Sequence, residues 1–111
     1  MYQLRQQGSV TVVAPQVAIN QGSVDQLRAA VEPRLADRPT FLVFDLSAVP
    51  LLDSSALEWI LDTQDEALRY GGELKLASPN SLCSDILGLT GVDERVAVHS
   101  DTVTAVGSFS R

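Results

Sequence analysis

Phe41-Leu42-Val43-Phe44-Asp45-Leu46-Ser47-Ala48-Val49-Pro50-Leu51-Leu52-Asp53-Ser54-Ser55-Ala56-Leu57 is the stretch whose reading decides the fold. Its first four residues show almost no polar alternation, the pattern of a strand covered on both faces. A turn rich in Asp, Ser and Pro follows. Beyond it Leu57, Ile60, Leu61, Gln64, Ala67 and Leu68 recur at helical spacing and mark the expected buried side of a helix over Leu57–Tyr70. Gly71-Gly72 supplies the stop. Strand, turn and helix in that order place hydroxyls at a helix N-terminus beside a carboxylate, where a phosphate can be attached or held.

Upstream, Leu4–Gln7 and Val10–Ala14 read as short strands joined at Gly8-Ser9, a hairpin signal. Val24, Leu27, Val31 and Leu35 then form a helical stripe. Ser23 and Gln26 have the spacing of a capping box before it, and Pro39 closes the segment. Downstream, Glu73–Ala77 reads as a strand, Ser81–Leu87 as a short helix and Val96–His99 as a last strand. Asp101 is placed to cap a final helix with Val103, Val106 and Phe109 on its apolar side. Strand and helix alternate from Val10 onward, and crossovers of one hand that each step to the next strand put their helices on the same side of the sheet. The expected fold class is therefore α/β, a small mixed sheet with helices mainly on one face, wound as a βα superhelix and occupying residues 1–111 as a single domain.

A chain of 111 residues with 45% hydrophobic content fits one core. No apolar run approaches the roughly 20 residues needed to span a bilayer, and Met1-Tyr2-Gln3-Leu4-Arg5 lacks the features of a secretory signal, so a cytoplasmic location without membrane insertion is expected. The formal charge is -6 and no basic cluster offers a footprint for phosphate backbones, which argues against direct nucleic-acid binding. Cys83 and His99 are each the only residue of their kind, which leaves a conventional metal centre short of ligands.

The turn has two readings. Ser55-Ala56-Leu57-Glu58 fits a capping box, Ser55 accepting from the Glu58 N–H and Glu58 reaching back. Alternatively Asp53 orients a hydroxyl two residues on, and a phosphate there meets both the free N–H groups of the first turn and the repulsion of Asp53 and Glu58. Asp45, near the end of the strand, reads as a loop anchor rather than half of a catalytic pair. Nothing completes a nucleophilic triad, and Gly71-Gly72 precedes a strand, which is the wrong setting for a phosphate loop. No catalytic residues and no enzyme activity are expected. Trp59 lies off the centre of the helical stripe, as a residue at the core boundary or as an interface anchor.

The stretch from Phe41 to Leu57, with its Asp45-Leu46-Ser47 and Asp53-Ser54-Ser55 elements, resembles the core motif of the STAS family, particularly bacterial anti-sigma factor antagonists. The resemblance extends over nearly the full chain. It implies a protein that binds an anti-sigma factor doubling as a serine-protein kinase and is switched off by serine phosphorylation, thereby regulating sigma-factor-dependent transcription. Ser55 matches the phosphoacceptor, Asp53 the acidic residue of the acceptor turn and Ser54 the intervening hydroxyl. No cofactor is implied on this chain, ATP belonging to the kinase and a serine phosphatase resetting the cycle. Three positions of the acceptor turn and partner surface depart from the family pattern: Ala56 replaces a glycine, Glu58 a small residue and Asn20 an acidic residue. The alternative implied by the same family is a non-phosphorylated adaptor bound to the ATPase subunit of a membrane lipid transporter.

Overall fold

The computed structural model describes residues 1–110. Strands β1 (Tyr2–Gln7) and β2 (Val10–Pro15) pair antiparallel in the register Gln7↔Val10, and Gly8 takes the left-handed conformation, φ +62°, that the tight turn requires. Three parallel pairings follow, β2 with β3 (Phe41–Asp45), β3 with β4 (Glu73–Ala77) and β4 with β5 (Ala97–His99), giving the order β1-β2-β3-β4-β5. The crossovers carry α1 (Val24–Leu35), α2 (Ser54–Arg69) and α3 (Ser81–Leu89), the last extended by a 3-10 turn at Val92–Glu94. A short α4 (Thr102–Gly107) follows β5.

β3 is the centre of the packing because its side chains alternate between two apolar layers. Leu42 and Phe44 point into the larger one with Leu27, Val31, Trp59, Ile60, Leu74, Leu76 and Leu87, under α1, α2 and α3. Val43 points into the smaller one with Val10, Val12, Ala77 and Ala105, against which Phe41, Val106 and Phe109 pack under α4. The helices thus lie mainly on one face, with α4 alone closing the other. That second layer holds a cation: Lys75 is 8% exposed, its ammonium bonded to the Ser108 hydroxyl and 4.2 Å from the centroid of the Phe109 ring.

Three sequence expectations change here. Leu68 is 53% exposed, and Thr63 takes a buried place beside Gln64 in α2. Val103 is 81% exposed, and Ala105 is the residue of α4 that enters the core. The Ser23 side chain caps nothing at the start of α1. Its hydroxyl instead donates to the Ala18 carbonyl at 2.8 Å and accepts from the Asn20 N–H at 3.1 Å, holding the preceding loop.

Candidate functional site

The carboxyl end of β3 opens into a loop, Leu46–Asp53, that is tied to its surroundings from three sides. Asp45 accepts from the Ser47 N–H at 3.0 Å and starts the turn, the loop-anchoring role expected of it. On one side the Asn80 amide, itself the N-cap of α3, donates to the carbonyls of Val49 at 3.3 Å and Pro50 at 3.4 Å. On the other, Ile19 forms a parallel bridge with Leu52: Ile19 N–H donates to Leu51 at 3.0 Å and Asp53 N–H to Ile19 at 3.2 Å. Ile19 and Leu52 are both buried, so the bridge between two loops is fastened by apolar contact as well as by hydrogen bonds.

Asp53 then starts α2. In an extended conformation, its Oδ1 accepts from the Ala56 N–H at 3.1 Å and its Oδ2 from the Gln21 N–H at 3.2 Å. One carboxylate therefore caps the helix and pins the β2–α1 loop to it. Asn20 organises that loop by accepting from the N–H groups of Gly22 at 2.9 Å and Ser23 at 3.2 Å. A capping box at Ser55 does not form, because Asp53 occupies the cap two residues earlier. Glu58 turns away to Arg28 of α1, 3.9 Å distant, where Asp62 also pairs at 3.1 Å.

Ser54 is exposed and Ser55 half-buried at the first and second positions of α2, and the Ser55 hydroxyl takes part in none of these bonds. Asp53 does not orient it, since both carboxylate oxygens are engaged with backbone. Ala56 is completely buried and belongs to the packing beneath the turn, not to a surface for partners. Trp59 is 1% exposed and stacks on Phe44, ring centroids 4.4 Å apart at 17°, so it is a core residue and no interface anchor. The rim thus brings together Asn20, Gln21, Asp53, Ser54 and Ser55, with Glu58 exposed one turn along. Sequence reasoning found Asn20 but missed Ile19 and Gln21. The short apolar run Val17-Ala18-Ile19, just ahead of Asn20-Gln21, was the available signal.

Cys83 lies behind the rim, fully buried, its thiol donating to Val49 at 3.5 Å, and burial pushes it above the usual thiol range. Among the described residues no three His, Cys, Asp or Glu side chains converge to hold a metal, and no helix is long and apolar enough to cross a membrane.

The family model of the STAS domain matches residues 1–105. The chain belongs to the STAS family. No curated protein matches this STAS chain by sequence. Among solved structures it is similar to a Thermotoga maritima protein assigned as an anti-sigma factor antagonist, with TM-score 0.93 and 22% identity over 99% of this chain and 95% of that one. An anti-sigma factor antagonist from Mycobacterium paratuberculosis gives 0.91 and 23% over 100% and 94%. The anti-sigma factor antagonist SpoIIAA gives 0.84 and 15% in its unphosphorylated form, over 99% and 96%. The phosphorylated form of the Bacillus protein gives 0.76 and 15% over 98% and 99%. At these identities the likeness is one of STAS fold.

Proposed function

We propose that this STAS domain is an anti-sigma factor antagonist that binds an anti-sigma factor with serine-kinase activity and is released when Ser55 is phosphorylated. The observation that carries the reading is the position of Ser55: a hydroxyl left out of the capping network, on the first turn of α2, beside loops already fixed by Asp53. A pre-organised rim of this kind loses little conformational entropy on docking. The existence of SpoIIAA in phosphorylated and unphosphorylated forms supports the same reading.

In the transfer, Ser55 Oγ attacks the γ-phosphorus of ATP held by the kinase, ADP leaves, and the hydroxyl proton passes to a base of the kinase. The product carries about -1.5 to -2 of new charge. First-turn N–H groups and the helix dipole stabilise it, while the Asp53 carboxylate opposes it. Within the folded chain these effects offset one another. At a docked interface the phosphate must also be desolvated, and the complex is weakened. A partner phosphatase restores the hydroxyl. The chain's own part is recognition, with no catalytic step of its own.

Recovery of the tagged protein from its own cells tests the assignment. Mass spectrometry of the captured proteins is expected to find an ATP-binding anti-sigma factor, and the peptide spanning Ser54 and Ser55 is expected to carry phosphate on Ser55. Stable capture of a transporter ATPase, with Ser54 and Ser55 unmodified, would replace this reading with the adaptor role.

A further inference from the structure

We propose that the solvent flank of α3 is a second docking surface, one that takes a basic amphipathic helix of a partner protein. Cys83 and Leu87 anchor α3 to the core. Leu82, Ile86 and Leu89 recur at i, i+4 and i+7 along another flank, with Leu82 51% and Leu89 88% exposed and Ile86 half-buried between them. Leu51, 44% exposed, belongs to the loop that Asn80 ties to the start of α3. A row of aliphatic side chains left in water on one short helix is the kind of surface that partners cover.

Charge selects the occupant. From Leu76 to Glu94 the sequence contains Asp85, Asp93 and Glu94 and neither Lys nor Arg. All three acids are exposed, and none belongs to an ion pair among the described residues. Asp93 folds back on α3, its carboxylate 3.6 Å from where a Cβ on Gly88 would lie. The last turn of α3 holds no basic residue and is followed by Asp93 and Glu94, while Arg95, next in sequence, is paired with Asp65 of α2. A two-fold contact between copies of the chain would set these acids against themselves, and an anionic bilayer would be repelled. A helix with leucine-like residues on one face and Lys or Arg at its borders fills the ridge and neutralises the acids together.

The test titrates the intact protein, labelled for NMR, with a leucine–lysine peptide whose leucines form one helical face, and with a peptide of the same composition whose leucines are scattered. The facially ordered peptide is expected to bind more tightly and to shift the resonances of Leu82, Ile86 and Leu89. The Leu82→Ser/Leu89→Ser variant and the Asp85→Asn/Asp93→Asn/Glu94→Gln variant, each checked for unchanged thermal unfolding, are expected to bind it about tenfold more weakly. Absence of binding, equal affinity for the scattered peptide, shifts confined to other surfaces, or undiminished binding by the variants would overturn the proposal. So would self-association, or adsorption to phosphatidylglycerol vesicles, that is abolished by the double serine variant.

Discussion

At the scale of single residues, Asp53 is the most exposed to test, because one carboxylate satisfies N–H groups on two separate segments. Asp53→Ala removes the cap and the clamp and is expected to destabilise the fold by about 1–3 kcal/mol in chemical denaturation. Asp53→Asn keeps an acceptor for Ala56 but turns an amide donor toward the Gln21 N–H, so a smaller loss is expected. Asp101 offers a pH-dependent counterpart. The Thr104 N–H, bonded to its Oδ1 at 2.7 Å, holds this carboxyl below the ordinary aspartate range. A depressed folded value means that the stabilisation is complete above the unfolded carboxylate range and is lost as pH falls through the folded value. The acid limb of a stability-versus-pH curve should therefore flatten in Asp101→Asn. The cap of α2 was not legible from sequence alone. Asp53, Ser54 and Ser55 are all competent cap residues, and the choice among them is made by Gln21, whose N–H arrives from a loop distant in sequence.

At the scale of elements, α2 shows why its start and its buried face were read imperfectly. The buried positions are Ala56, Trp59, Ile60, Thr63, Gln64 and Ala67, an i, i+3, i+4, i+7, i+8, i+11 pattern that includes two polar residues. Thr63 is tolerated because its hydroxyl donates to the Trp59 carbonyl at 2.7 Å. Gln64 is tolerated because it accepts from Leu74 N–H at 2.8 Å and donates to the Arg95 carbonyl at 3.2 Å, joining α2 to β4 and to the entrance of β5. Gln64 was placed on the buried side by its spacing, whereas hydropathy registers Thr63 as surface and favours Leu68, which solvent in fact reaches. The helix stop, by contrast, was plain in the sequence. Gly71 adopts φ +85°, and a Cβ on Gly72 would lie 1.9 Å from the Thr40 carbonyl oxygen. Since backbone cannot step aside as a flexible side chain can, Gly72→Ala is expected to cost at least about 1–3 kcal/mol, read as a lowered thermal midpoint. Gly71→Ala, with open space around it but a strained φ, should cost about 1 kcal/mol. Trp59→Ala, which empties the site stacked on Phe44, should cost about 3–5 kcal/mol.

At the scale of the whole molecule, the alternation of strand and helix and the uninterrupted apolarity of Phe41–Phe44 were enough to foresee a mixed sheet with β3 at its centre, as the sheet order bears out. The acceptor turn was legible as a motif, but its construction was not. The Ile19–Leu52 bridge and the Gln21–Asp53 bond join segments that no local pattern relates, and they make the rim of α2 a property of the assembled fold. In the proposed function this rim recognises an anti-sigma factor and Ser55 phosphate dissolves the recognition. Calorimetric titration of the captured anti-sigma factor with unmodified and with Ser55-phosphorylated protein measures it most directly. At least about a tenfold loss of affinity on phosphorylation is expected, equivalent to about 1.4 kcal/mol, with Ser55→Ala binding like the unmodified chain. Equal affinities for the two forms, with Ser55 verified as fully phosphorylated, would contradict it.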